Sequence, residues 1–168
     1  MELDAGIAAL RITIGLIFAA HGPQKAFGWW KGPGYAAWTG AIGKMGFRPA
    51  GLWAFISVGA ELGAGPLLAL GLLSPLAAAG LVGQGIVIIA RVHWANGFWN
   101  SNGGYEFPLA LLGGSVAIAL TGPGGWSLDA RLPVGLLYEP IVRRGVLLVA
   151  VAVAAVAAFL ASRQTAVG

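Results

Sequence analysis

Cysteine is absent from all 168 residues. The chain therefore carries no disulfide, no thiol chemistry and no thiolate metal site. Charge is scarce too: Asp, Glu, Lys and Arg make up 10% of the residues, against about 25% in an ordinary soluble domain. Two histidines are present, too few to define a metal site, and none is expected. No Gly-rich phosphate loop, nucleophile elbow or zinc signature occurs. The four surplus positive charges sit in short loops between apolar segments. That placement speaks for membrane orientation and against nucleic acid as a partner.

What the chain does have is hydrocarbon. Hydrophobic residues reach 58% and the mean hydropathy is +0.81, the signature of an integral membrane protein. A spanning helix needs about 20 largely apolar residues. Five segments qualify or nearly so: Asp4 to His21, Leu52 to Leu73, Pro75 to Val92, Phe107 to Thr121, and Gly145 to Ala161. The expected fold is all-α: a transmembrane four-helix bundle over residues 1–130, then a connecting segment and an additional C-terminal fifth transmembrane helix over 131–168. The first segment opens with Glu2 and Asp4 and carries Arg11. It lacks the basic start of a signal peptide and is expected to stay in the mature protein.

The connections are unequal. Segments two and three are joined by a tight turn, with Pro75 at a natural helix start. The connections at Gly22 to Gly51 and at His93 to Gly104 are long, and one complete hairpin between them puts both on the same membrane face. "HGPQKAFGWW" after the first segment is echoed by "HWANGFWN" after the third, which suggests helix pairs related by a two-fold axis along the membrane normal. Trp29, Trp30, Trp38, Trp53, Trp94 and Trp99 load this face with six of the seven tryptophans. Part of that loading is the interfacial aromatic belt; the excess suggests a structured cap.

Polar residues within the spans carry the most information, because an intramembrane charge costs about 2.5–3.5 kcal/mol on insertion scales and takes a partner. Arg11 precedes His21, and Glu61 follows Gly51, by about 15 Å of helix each. Equal depth predicts a buried Arg11–Glu61 ion pair, with Gln84 and Ser115 in the same polar layer. On the loop-rich face, His21, Gln24 and Lys25 are expected to form one wall of a ligand pocket. Arg91, His93, Asn96, Tyr105 and Glu106 would face them from the second long connection. His21 and Lys25 also read as simple complements to a negative helix end. Apolar walls with a few converging polar groups are what a small-molecule site needs. A quinone head group or a lipid head group fits, with no covalent cofactor.

The chain resembles the DoxX family of small bacterial membrane proteins. The matching residues are Arg11 and Gly15, then His21-Gly22 with Lys25 and Phe27. The match goes on with Glu61 in "AELGAGPLLALGLLSPLA", "GGYEFPL" at Gly103 to Leu109 and "GPGGWSLD" at Gly122 to Asp129. The resemblance implies a four-helix bundle in the bacterial cytoplasmic membrane, multi-pass. It also implies association with membrane oxidoreductases as a non-catalytic subunit that stabilises a respiratory or other electron-transfer complex or shapes a quinone pocket. A quinone-linked enzyme in its own right and a lipid-binding or transporter-like protein are the alternatives. The fifth helix lies outside the resemblance and has no polar residue between Val146 and Ala161. It is expected to dock on another membrane subunit, apart from the bundle core. By positive charge the loop-rich face is cytoplasmic; the resemblance implies the opposite.

Overall fold

The computed structural model describes residues 1–133 and 135–165. Residues 134 and 166–168, part of the expected 131–168 segment, lie outside the described residues. Every long element is helical. In chain order they are α1 (Glu2–Phe27), α2 (Gly34–Lys44), α3 (Ala50–Leu70), α4 (Ser74–Asn96), α5 (Glu106–Thr121) and α6 (Pro140–Thr165). Helices α1, α3, α4 and α6 are long and apolar enough to cross a membrane, and α5 is a shorter apolar helix of 16 residues. The all-α membrane bundle is therefore the fold.

Helix α1 packs antiparallel along α3, and α4 lies between α5 and α6. The α1–α3 crossing is held close by glycine. A Cβ at Gly15 would stand 2.5 Å from the backbone nitrogen of Ala69, and one at Gly65 would stand 2.6 Å from that of Ala19. Small residues of this kind let membrane helices approach backbone to backbone, which maximises dispersion contact where hydrophobic driving force is missing. The central core gathers Ile14, Phe18, Leu68, Ala78, Leu81 and Ile118.

Three features differ from the sequence reading. Helix α1 does not end at His21. It runs through Pro23 to Phe27 and stops at Gly28, whose φ of 74° is a left-handed cap. A proline in a membrane helix is tolerated where neighbouring groups make good the lost hydrogen bond, so it is a poor stop signal here. The first long connection contains a helix, α2. The fifth helix, α6, belongs to the bundle core: Ala154, Ala157, Ala158 and Ala161 are buried, and Ala157 and Ala161 pack with Ile42, Phe47 and Ala54. Its alanines, expected to serve docking on another subunit, let it lie flat on α4. Its other side, with Val149, Val153, Val156 and Phe159, is exposed.

Candidate functional site

The site starts from a break in helical register. Residues Ala60–Ala64 of α3 form a π-helical turn, closely followed by Pro66. That proline has no N–H for the carbonyl of Leu62 and its ring crowds it, so widening the turn relieves the clash. The wide turn carries Glu61 inward, where it is 1% exposed. A second π turn, Ile89–His93 in α4, carries Arg91 and His93.

Lys25 answers Glu61. Its Nζ lies 2.5 Å from Glu61 Oε1 and 4.3 Å from the centre of the Trp38 ring, a cation–π contact. Gln84 Nε2 donates to the same Oε1 at 3.1 Å and to Ser57 Oγ at 2.8 Å. Glu61 Oε2 and Trp38 Nε1 are buried without a hydrogen-bond partner. An orphan acceptor and an orphan donor at such depth are costly unless something completes them.

The expected Arg11–Glu61 pair is not formed. Arg11 is 3% exposed and points to the opposite end of the bundle. Its Nε donates to the Pro123 carbonyl at 3.2 Å, and its two terminal nitrogens donate to the carbonyls of Ala69 and Trp126. The depth count failed because α1 extends six residues past His21, which moves the whole helix relative to the interface. Ser115 takes no part in the layer either; its hydroxyl donates to Leu111 within α5. Only Gln84 joins Glu61 as expected.

A cavity of about 300 Å³ opens beside the Lys25–Glu61 pair. Its polar lining includes His21, Lys25, Glu61 and His93, and its apolar walls include Phe18, Trp38, Phe107, Pro108 and Leu111. His21 and Lys25 are one helical turn apart and so share a face of α1. Of the eight candidate ligand residues, the structure brings three to this cavity: His21, Lys25 and His93. The others support it. Gln24 Oε1 lies 2.9 Å from His21 Nδ1. Arg91 donates twice to the Met45 carbonyl, at 3.2 and 2.7 Å, and so ties the end of α2 to α4. Asn96 donates to the Gly103 carbonyl at 3.1 Å, and His93 Nδ1 lies 2.6 Å from the same oxygen. Tyr105 stacks on Trp94 with ring centres 5.3 Å apart. Glu106 Oε2 accepts from the Asn100 N–H at 3.0 Å. Asn96, Tyr105 and Glu106 thus shape the loop between α4 and α5.

Sequence reasoning placed Glu61 in the wrong partnership and left Trp38, Phe18 and Phe107 out of the site. The available signal was spacing: Phe18 stands three residues before His21, and Phe107 directly follows Glu106. Among the described residues no three His, Asp or Glu side chains gather as a metal site.

The opposite end of the bundle is a polar latch. Asp129 accepts from the N–H groups of Leu73 at 2.8 Å and Ser74 at 2.9 Å, from the Ser74 hydroxyl at 2.9 Å, and from the Tyr138 hydroxyl. It thereby caps α4 and holds the turn at Leu73, whose φ of 49° is unusual for a side chain of that bulk. Burial pushes the Asp129 carboxyl up, but hydrogen bonds from Ser74, Tyr138 and Leu73 outweigh it and hold it below the usual value. Burial first, then the hydrogen bond to Asp129, pushes the Tyr138 phenol well up.

Together these features describe a polytopic helical membrane protein with a partly polar cavity at its loop-rich end. The chain belongs to the DoxX family, whose model matches residues 6–94, from α1 to near the end of α4. It is also similar to an uncharacterized membrane protein of Mycobacterium tuberculosis, with 28% identity over 142 residues, covering 78% of this chain and 83% of that one. No solved structure matches it.

Proposed function

We propose that this DoxX-family protein is a non-catalytic accessory subunit of a quinone-linked electron-transfer complex in the bacterial cytoplasmic membrane. Its part is to hold a quinone head group in the cavity beside Lys25 and Glu61. The observation that carries this reading is the pairing of apolar and aromatic walls with polar groups of both kinds. A quinone ring has the flat apolar body that Phe18, Trp38 and Phe107 accommodate. Its carbonyl oxygens take hydrogen bonds from donors such as Lys25 and His21. The reduced form adds hydroxyls, which suit the unpartnered Glu61 Oε2. The family resemblance supports the association with a redox complex, and the exposed side of α6 offers a surface for another subunit.

The test is to purify the protein from its native membrane and quantify bound quinone, bound phospholipid and co-purifying subunits. His21→Ala is the informative variant, since it leaves the Lys25–Glu61 pair intact. It should retain roughly two- to tenfold less quinone, the range expected for one lost hydrogen bond, at unchanged thermal stability. Unchanged quinone content, or phospholipid as the bound species, would remove quinone from this site.

A further inference from the structure

A second cavity, of about 250 Å³, lies under α2 between α3, α4 and α6. Its lining is apolar except at one edge, where Ser57 and Gln84 stand and Gln84 reaches across to Glu61. Trp38, Ile88 and Val92 line both cavities. The two are therefore neighbouring chambers, divided by the ring whose Nε1 is buried without a partner. Each chamber alone sits at or below the lower end of the range of about 300–1,000 Å³ for small-molecule sites, and the pair falls within it.

The second chamber is kept open by small residues. Ala150, Ala154 and Ala157 of α6 form one wall. On α4, Gly80 lines the chamber, and a Cβ built there would meet nothing within 4 Å. The lip is exposed at Ile56 and Val153, so a hydrocarbon chain can slide in sideways from the bilayer without crossing the head-group layer. Gly80 is exposed at the slot's open side, and larger side chains there or along α6 would narrow the slot.

We infer that one amphiphile occupies both chambers. Its head group lies at Lys25 and Glu61, and its hydrocarbon tail passes Trp38 into the slot walled by α6. The head-group half rests on the function proposed above. The new element is the tail site, which makes α6 the wall that sets which tails are accepted.

The experiment uses the full chain in discs of saturated phosphatidylcholine. Binding is measured for two benzoquinones with the same head group, one carrying a single isoprene unit and one carrying four. Gly80→Leu adds bulk at the open side of the slot and replaces a helical glycine by a better helix former. Gly113→Leu is the control, an α5 glycine with equally open surroundings outside both chambers. Gly80→Leu should weaken the four-unit ligand at least about tenfold, a factor that burial of one or two methylenes already supplies. It should leave the one-unit ligand unchanged, and Gly113→Leu should change neither. An unchanged four-unit affinity in Gly80→Leu overturns the tail site while the head-group reading stands. Equal loss of both ligands, or equal loss in Gly113→Leu, overturns it as well. Failure of the wild type to bind either quinone overturns both readings.

Discussion

Lys25→Met is expected to destabilise the protein by about 3–5 kcal/mol, because removing one partner of a buried pair strands the other charge. Glu61 is the stranded group. It is 1% exposed, its Oε2 already lacks a partner, and Gln84 at 3.1 Å supplies a neutral hydrogen bond in place of a charge. The double variant Lys25→Met, Glu61→Leu should recover most of the loss, since replacing both ions by apolar groups of similar volume is often neutral. Unfolding in detergent by heat or denaturant reads the cycle. A double variant as unstable as the worse single one would show that the charges do not act as a pair. Arg11→Leu with Glu61→Leu supplies the contrast: their partners are different, so their effects should add.

Asp129→Ala should cost at least about 3 kcal/mol, since hydrogen bonds to a charged group are worth about 1.5–3 kcal/mol each. The carboxylate binds two backbone N–H groups and two hydroxyls. Without it the α4 N-terminus and the turn at Leu73 are unsupported. Asp129→Asn keeps the shape and an acceptor and should lose less. The same latch predicts acid sensitivity. The folded state holds the Asp129 carboxyl below its ordinary value. Its contribution is therefore full above the ordinary carboxylate pKa of about 3.9 and is lost as pH falls through the lower, folded-state value. The wild type should lose stability there and Asp129→Ala should show a flatter acid limb. Parallel pH profiles for the two would remove Asp129 as the group responsible.

Several parts of this architecture were readable from residue pattern. Apolar run lengths located the spanning helices, Pro75 marked the start of α4 closely, and the intramembrane charges pointed to buried polar contacts. The loop-rich face was expected to hold a pocket from its His, Lys and Trp content, and a cavity lined by His21, Lys25, Trp38 and His93 lies there. Partnership was not readable. Depth along a helix is counted from its end, and the apolar run was ended at His21, six residues short of the end of α1 at Phe27, so Arg11 was matched to the wrong level. Lys25, expected in a pocket wall or as a helix-end charge, lines the cavity and is also the ion that meets Glu61. The latch explains why the "GPGGWSLD" stretch contains so much polar and flexible backbone: Pro123 and Trp126 supply carbonyls to Arg11, and Asp129 caps α4. Those contacts join residues more than fifty positions apart, which no local periodicity encodes. The packing of α6 was hidden for the same reason, because a run of Ala and Val looks alike whether it faces lipid or a neighbouring helix.

The short α5 has a consequence for the bilayer itself. Its 16 residues rise only about 24 Å, several ångströms less than a hydrocarbon core of about 30 Å. Local thinning of the lipid is one way such a deficit is met. The first turn of α5 holds Phe107 and Pro108 in the wall of the Lys25–Glu61 cavity, so thinning at that end would fall beside the cavity. It would shorten the path from the aqueous phase to Glu61, which is 1% exposed.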